Sequence, residues 1–224
     1  MADRLRGFCL ATGLVLLLGS AGLFLIRYRV HTVPTRSMTP AIMPGDRIVV
    51  DTWSRTATRG DLVLATAPWE SDQVVKRVTA TEGDPVTCCD ADGRMLVGGV
   101  ALPGSERSGD RAFSVRVEAG RLFLTGDNQA VSRDSRSAAS ESSAVATVGS
   151  GSVSGRVVAV AFPVSRTGLL PDRAAGTLRA VTWAAAAGLI LIVAAALLAA
   201  LAASRPSSSR PSRPDRHPGP SRRG

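Results

Sequence analysis

The alternation of apolar and polar residues divides the chain into three parts. Two stretches, residues 8–26 and 180–203, hold no charged side chain. Each is long enough to cross a hydrocarbon core of about 30 Å as a helix. Between them the apolar residues come in short bursts, at 47–50, 61–65, 73–78, 95–97, 121–124 and 155–162, punctuated by Gly-Asp pairs at 45–46, 60–61, 83–84 and 126–127. Short β-branched runs separated by glycine turns predict strands, and no amphipathic helical spacing of useful length occurs between residues 30 and 171. Residues 137–154 are almost entirely Ser, Ala, Gly, Val and Thr and read as a flexible loop. The pattern predicts a mainly β fold: an antiparallel sheet domain over residues 27–179, between transmembrane helices at 8–26 and 180–203.

Arg4 and Arg6 precede the first apolar run, and Gly19-Ser20-Ala21 imitates a signal cleavage site. The run continues to Ile26, longer than the core of a cleaved signal, so an uncleaved anchor is expected. Charge then sets an orientation. The formal net charge is +9, and the segment after residue 203 holds six arginines (205, 210, 213, 216, 222 and 223) against Asp215 alone. Basic flanks stay on the cytoplasmic side, which puts both termini there (residues 1–7 and a disordered tail at 204–224) and turns residues 27–179 outward from a plasma membrane. Arg27 and Arg29 on the far side weaken that vote for the first span. The tail, rich in Arg, Pro and Ser without aromatics, reads as a strip against anionic lipid; no nucleic-acid partner is expected.

Cys9 lies in the first span, and Cys88 and Cys89 are neighbours in the outward domain. Outside the cell that pair is either bonded or simply two small buried side chains. Three cysteines and two histidines supply no ordinary structural zinc site there, and no metal or cofactor is expected.

The candidate chemistry starts from a composition bias. Of 27 lysines and arginines, Lys76 alone is lysine. Lysine can lose its proton when buried, whereas arginine stays charged. Lys76 sits in Val74-Val-Lys-Arg-Val78, where strand alternation puts it on one face with two valines and so in a partly desolvated place. Ser37 lies about ten residues beyond the first span. The one histidine in that domain, His31, is six residues before Ser37, roughly 20 Å along an extended chain, so a Ser-His-Asp triad is not expected. A third polar segment, Gly126 to Arg136, carries Ser132, whose hydroxyl can orient a lysine amine. Asp134 and Arg136 fall on one side of an extended chain and can pair with each other or with neighbours.

In this order the three segments resemble type I signal peptidases, membrane-bound Ser-Lys peptidases that remove signal peptides. Ser37-Met-Thr-Pro40 is similar to the family's Ser-Met-x-Pro box, and Gly45-Asp-Arg-Ile-Val-Val50 to the strand after it. Lys76-Arg-Val, leading to Glu82-Gly-Asp84, resembles the lysine box, and Gly126-Asp-Asn with Ser132 and Asp134-Ser-Arg136 resembles the last. Cys88 to Gly93 and Leu96-Val-Gly-Gly99 are similar to the connecting region of actinobacterial members. The resemblance covers about residues 30–165. It implies Ser37 as nucleophile, Lys76 as general base, Ser132 as the hydroxyl that positions the lysine, and Asp134 with Arg136 as a supporting ion pair. It further implies Thr35 as an oxyanion donor and Val33, Ile42 and Val75 as the lining of a shallow substrate pocket. The implied activity is cleavage of exported pre-proteins after small residues, of the Ala-x-Ala type, with signal peptides, the bilayer and the secretion translocon as partners.

The chain departs from that pattern in three places. Gln129 and Ala130 stand where an Arg-Asp pair is common. The Gly-Phe-x-Pro stretch that often follows the last box is replaced by the small-residue loop, and the arginine-rich tail is an elaboration. Two alternatives remain: a peptidase dedicated to a narrow set of secreted proteins, and a catalytically silent membrane-tethered scaffold.

Overall fold

The computed structural model describes residues 2–106 and 111–203; the tail expected at 204–224 lies outside the described residues. Helix α1 (Ala2–Arg27) passes without a break into strand β1 (Tyr28–Thr32). Then come β2 (Arg47–Asp51), β3 (Leu62–Thr66), β4 (Gln73–Thr81), β5 (Pro85–Cys88), β6 (Met95–Val97), β7 (Val100–Ala101), β8 (Phe113–Arg116) and β9 (Arg121–Thr125). Helix α2 (Ser135–Glu141) precedes β10 (Val148–Gly149), β11 (Val153–Phe162), β12 (Gly168–Leu169) and α3 (Ala175–Ala203).

The expected mainly β architecture is what the chain adopts, with every strand pair antiparallel. The larger sheet runs β1-β2-β11-β3-β4-β9-β10, with β12 on β11, and a smaller one runs β7-β6-β5-β8. Period-2 alternation gives the larger sheet two apolar faces. Ile48, Val50, Leu62, Leu64 and Val157 pack on one side with Met38 and Ile42. Val63, Ala65, Val78, Leu122 and Leu124 pack on the other. Phe123 and Ala80 reach across to Val86, Met95 and Val97 of the smaller sheet. Each such fully buried side chain contributes about 1.5–3 kcal/mol of transfer free energy.

Six strands were not expected: β7, β10 and β12 are two residues each, and the other three are β1, β5 and β8. In β5 and β8 the apolar signal is a four-residue alternation too brief to stand out, and β1 continues a helix rather than following a turn. The stretch expected as a loop from 137 also begins differently. Asp134 caps α2 by accepting from the backbone N–H of Arg136 and Ser137, while the Ser137 side chain accepts from the Asp134 N–H. That reciprocal cap closes a seven-residue helix that amphipathic spacing could not reveal.

Helices α1 and α3 are both long and apolar enough to cross a membrane, and most of their surface is open. They lie side by side and meet glycine to glycine. A Cβ on Gly13 would stand 2.8 Å from the Gly188 carbonyl oxygen, and one on Gly188 would stand 2.7 Å from that of Gly13. Only glycine lets two helix backbones approach so closely. Both helices are also fastened to the sheet. Arg27 forks onto Asp51 at 2.6 and 3.0 Å, and Asp51 accepts further from Ser54 and the Trp53 N–H. Burial pushes the Asp51 carboxyl up, but those donors outweigh it and hold it below the ordinary range. Ahead of α3, Asp172 receives Arg156 of β11, which also reaches Asp61. Leu178 and Ala175 then pack on Tyr28, Val49 and Val158.

Candidate active site

The loop from Val33 to Asp46 is pinned at both ends of its reactive stretch. Val33 donates its N–H to the Asp46 carbonyl, Met38 and Ile42 are fully buried, and Arg166 bonds Asp46 and the carbonyls of Pro40 and Ala41. Ser37 is thereby held half-buried at the lip of a cavity, its hydroxyl 3.3 Å from that of Thr35.

Strand β4 brings Lys76 to the same cavity. The alternation expected from sequence holds: Val74 and Val78 pack in one core and Val75 in the other. Lys76 is 3 % exposed, and its Nζ donates to Ser132 Oγ at 3.0 Å. Burial depresses its pKa below the ordinary 10.5, and the carboxylates of Asp134 and Glu70 pull the other way without restoring it. Ser37 and Lys76 make no direct hydrogen bond among the described residues; they share the cavity.

The segment from Gly126 closes the third side. Asn128 donates its N–H to the Ser37 carbonyl at 2.9 Å, and Asp127 forks onto Arg77, the residue after Lys76, at 2.6 and 2.7 Å. A single glycine sits between the two serines. A Cβ on Gly126 would lie 2.3 Å from Ser132 Oγ and 2.4 Å from the Ser37 carbonyl oxygen. Asp134 accepts from the Gly126 N–H at 2.9 Å, so the helix cap also fastens that glycine.

Most expected site residues converge here. Ser37, Lys76, Thr35, Val33 and Val75 line a cavity of about 460 Å³, with Leu64 and Glu70. Ser132 meets Lys76 from beneath. Ile42 departs from expectation: it is fully buried under the loop with Ile48 and Val50 and does not line the cavity. The side-chain ion pair of Asp134 with Arg136 is not the geometry found either. Because α2 starts at Ser135, the two side chains diverge: Asp134 takes the Arg136 backbone N–H, while the Arg136 guanidinium reaches the carbonyls of Gly93 and Ser105 and the sulfurs of Cys88 and Cys89. Those cysteines are joined to each other, the first of the two alternatives. His31 is among the residues that line the cavity. Glu70 and the Arg77–Asp127 pair were missed; the only signal for the pair was an Asp in the last box and an Arg beside the lysine.

Among the described residues no group of His, Cys, Asp and Glu could hold a metal ion. The arrangement brings together a hydroxyl, a desolvated amine and a second hydroxyl that holds the amine.

The sequence model of the family described as "Signal peptidase, peptidase S26" matches residues 5–162. The mitochondrial inner membrane protease subunit 2 of Schizosaccharomyces pombe is 28% identical over 146 residues, 62% of this chain and 67% of that protein. A solved structure of a signal peptidase I from Enterococcus faecalis V583 is 23% identical and covers 46% of this chain and 97% of its own, with a TM-score of 0.35, too slight a likeness to carry an argument.

Proposed function

The chain belongs to the signal peptidase family, peptidase S26, and from that membership we propose that it removes signal peptides by a Ser-Lys mechanism, cutting after small residues at a membrane surface. One observation carries the mechanism: the chain's single lysine is buried, its pKa lowered by that burial, in the cavity that Ser37 lines. Neutral Lys76 takes the Ser37 proton as Oγ attacks the carbonyl carbon. The oxyanion is met by the Ser37 N–H and the Thr35 hydroxyl. The C–N bond breaks as Lys76 returns the proton to the departing amine. Water, deprotonated in turn by Lys76, then splits the ester and restores Ser37. Ser132 and Asp134 act as positioning residues, one on the amine and one on Gly126.

Strand geometry supports an extended substrate. β4 pairs with β3 through residues 73–77, but β9 joins it only from Arg77 onward, which leaves the other edge of residues 73–76 open to a further strand. Side chains facing Val33, Leu64 and Val75 meet a shallow apolar wall, which favours Ala over larger residues. With α1 and α3 spanning a plasma membrane and both termini cytoplasmic, this cavity faces outward and meets signal peptides held in the same bilayer. The detergent-solubilised protein is expected to cut a signal peptide bearing Ala-x-Ala and to spare the same peptide with Leu at the cut. If it cut neither, or both alike, this reading would fall.

The pH profile gives a second check. Activity should rise with pH as Lys76 loses its proton. The Glu70 carboxylate raises that pKa, so Glu70→Gln should move the rising limb of kcat/KM to lower pH. A limb left in place, or moved upward, would mean that another group titrates.

A further inference from the structure

A second cavity, of about 530 Å³, is lined by the same three segments together with residues 59–60 and 102–104. Pro40 and Ala41 follow Ser37 in its loop, Arg77 follows Lys76 along β4, and Asp127 and Gln129 precede Ser132. In each of the three shared segments the change from one cavity to the other falls at the reactive cluster: between 37 and 40, between 76 and 77, and between 129 and 131. Ser37, Lys76 and Ser132 therefore form a divide with a hollow on each side. The first hollow adjoins the open edge of β4, where the signal side of a substrate pairs. The second has no part in the mechanism above.

Its chemistry is particular to this chain. Gln129 is 6 % exposed, and its Nε2 donates to the Gly126 carbonyl, which fixes the amide's orientation. Its Oε1 is left without a donor among the described residues. Buried acceptors rarely go unmet; this one is closed off from solvent, so an N–H reaches it only as the Gln129 side chain turns toward the cavity. An extended peptide offers one at every residue but proline. Of the charged residues that line the hollow, Asp127 is already engaged by Arg77, which leaves exposed Arg59 to set the sign at the rim.

We propose that this second cavity holds the residues just beyond the cut bond, with Gln129 Oε1 accepting a backbone N–H and Arg59 favouring an acidic over a basic side chain there. The inference rests on the peptidase reading and adds the substrate's leaving side to it.

The test uses the full chain in detergent micelles and three peptides with one signal-side sequence. One stops a single residue past the cut; two continue for four more, carrying either Asp or Lys. The Asp peptide should exceed the short one in kcat/KM by about tenfold, as one or two well-made hydrogen bonds allow, and exceed the Lys peptide by about fivefold. Arg59→Glu should invert the Asp/Lys ratio, and Ala41→Phe, which fills the hollow, should erase the gain from length. Each readout is a ratio within one enzyme, so a poorly folding variant does not distort it. Equal cleavage of short and long peptides by the wild type, or an Asp/Lys ratio untouched by Arg59→Glu, would overturn the proposal while leaving the peptidase reading standing. If no peptide were cut, both would fail together.

Discussion

Replacing Ser37 by alanine or, separately, Lys76 by arginine is expected to lower kcat/KM on an Ala-x-Ala peptide by about 10³-fold or more, because either change removes the reaction route rather than one contact along it. The arginine variant is the more telling. It keeps the positive charge and much of the length, but a guanidinium does not give up its proton. If Lys76→Arg cleaved like the wild type, the lone lysine would be a compositional accident and the mechanism would be wrong. Since a guanidinium fits poorly at a position 3 % exposed, Lys76→Met supplies a control for folding. It should be equally inactive yet more stable near neutral pH. The sign follows from the depressed pKa of Lys76. Below its folded-state pKa the wild type carries the full cost of a buried ammonium; that cost fades as pH rises toward the ordinary value of 10.5 and is gone above it. Methionine never carries it. Thermal unfolding in detergent should therefore show an advantage for Lys76→Met that shrinks in alkaline buffer. An advantage independent of pH would trace to packing, and the lysine would not be held against its charge.

The second large effect is expected at a residue with no reactive group. Gly126→Ala places a methyl 2.3 Å from Ser132 Oγ and 2.4 Å from the Ser37 carbonyl oxygen. Neither neighbour can yield freely: Ser132 holds Lys76, and the Ser37 carbonyl is bonded to the Asn128 N–H. The methyl must wedge the two serine segments apart. A displacement of about 1 Å in a reacting group costs on the order of 10²-fold in rate, and overpacking of this kind costs about 1–3 kcal/mol in stability. The rate loss should appear in kcat, with the signal-side cavity still binding peptide and KM little changed. Unaltered kinetics for Gly126→Ala would show that the spacing of the two serines is not what the reaction needs.

Much of this site was legible in the chain, and the reasons differ by residue. Lys76 stood out by composition and by its valine neighbours, which already imply burial. The longer strands of the larger sheet were readable because runs such as 47–50 and 155–162 are rich in valine and isoleucine. In the smaller sheet only the run at 95–97 stood out; Pro85-Val-Thr-Cys88 and Phe113-Ser-Val-Arg116 gain their apolar partners through pairing with each other. Ile42 was expected as pocket lining because the family resemblance implies it there. Which way a loop turns its side chains depends on long-range anchors, here Arg166 on Asp46 and on the carbonyls of Pro40 and Ala41, and local pattern does not encode them. Asp134 and Arg136 were misjudged for the converse reason: a reciprocal cap made a helix where the residues suggested an extended chain, and two positions in a helical turn do not share a side.

The glycine crossing of α1 and α3 bears on how the enzyme finds its work. A domain hung from one flexible stalk swings through a hemisphere and offers its cleft at every height and bearing. Here the two struts touch at Gly13 and Gly188 and are each bolted to the sheet, through Arg27 on Asp51 and Asp172 on Arg156. Such a mount resists both tilt and twist. On the proposed topology, with both helices in one bilayer, the search for substrate is a glide in two dimensions at a fixed altitude, and the distance from bilayer to cut bond becomes a measured length, like the throat of a gauge, that a pre-protein must match.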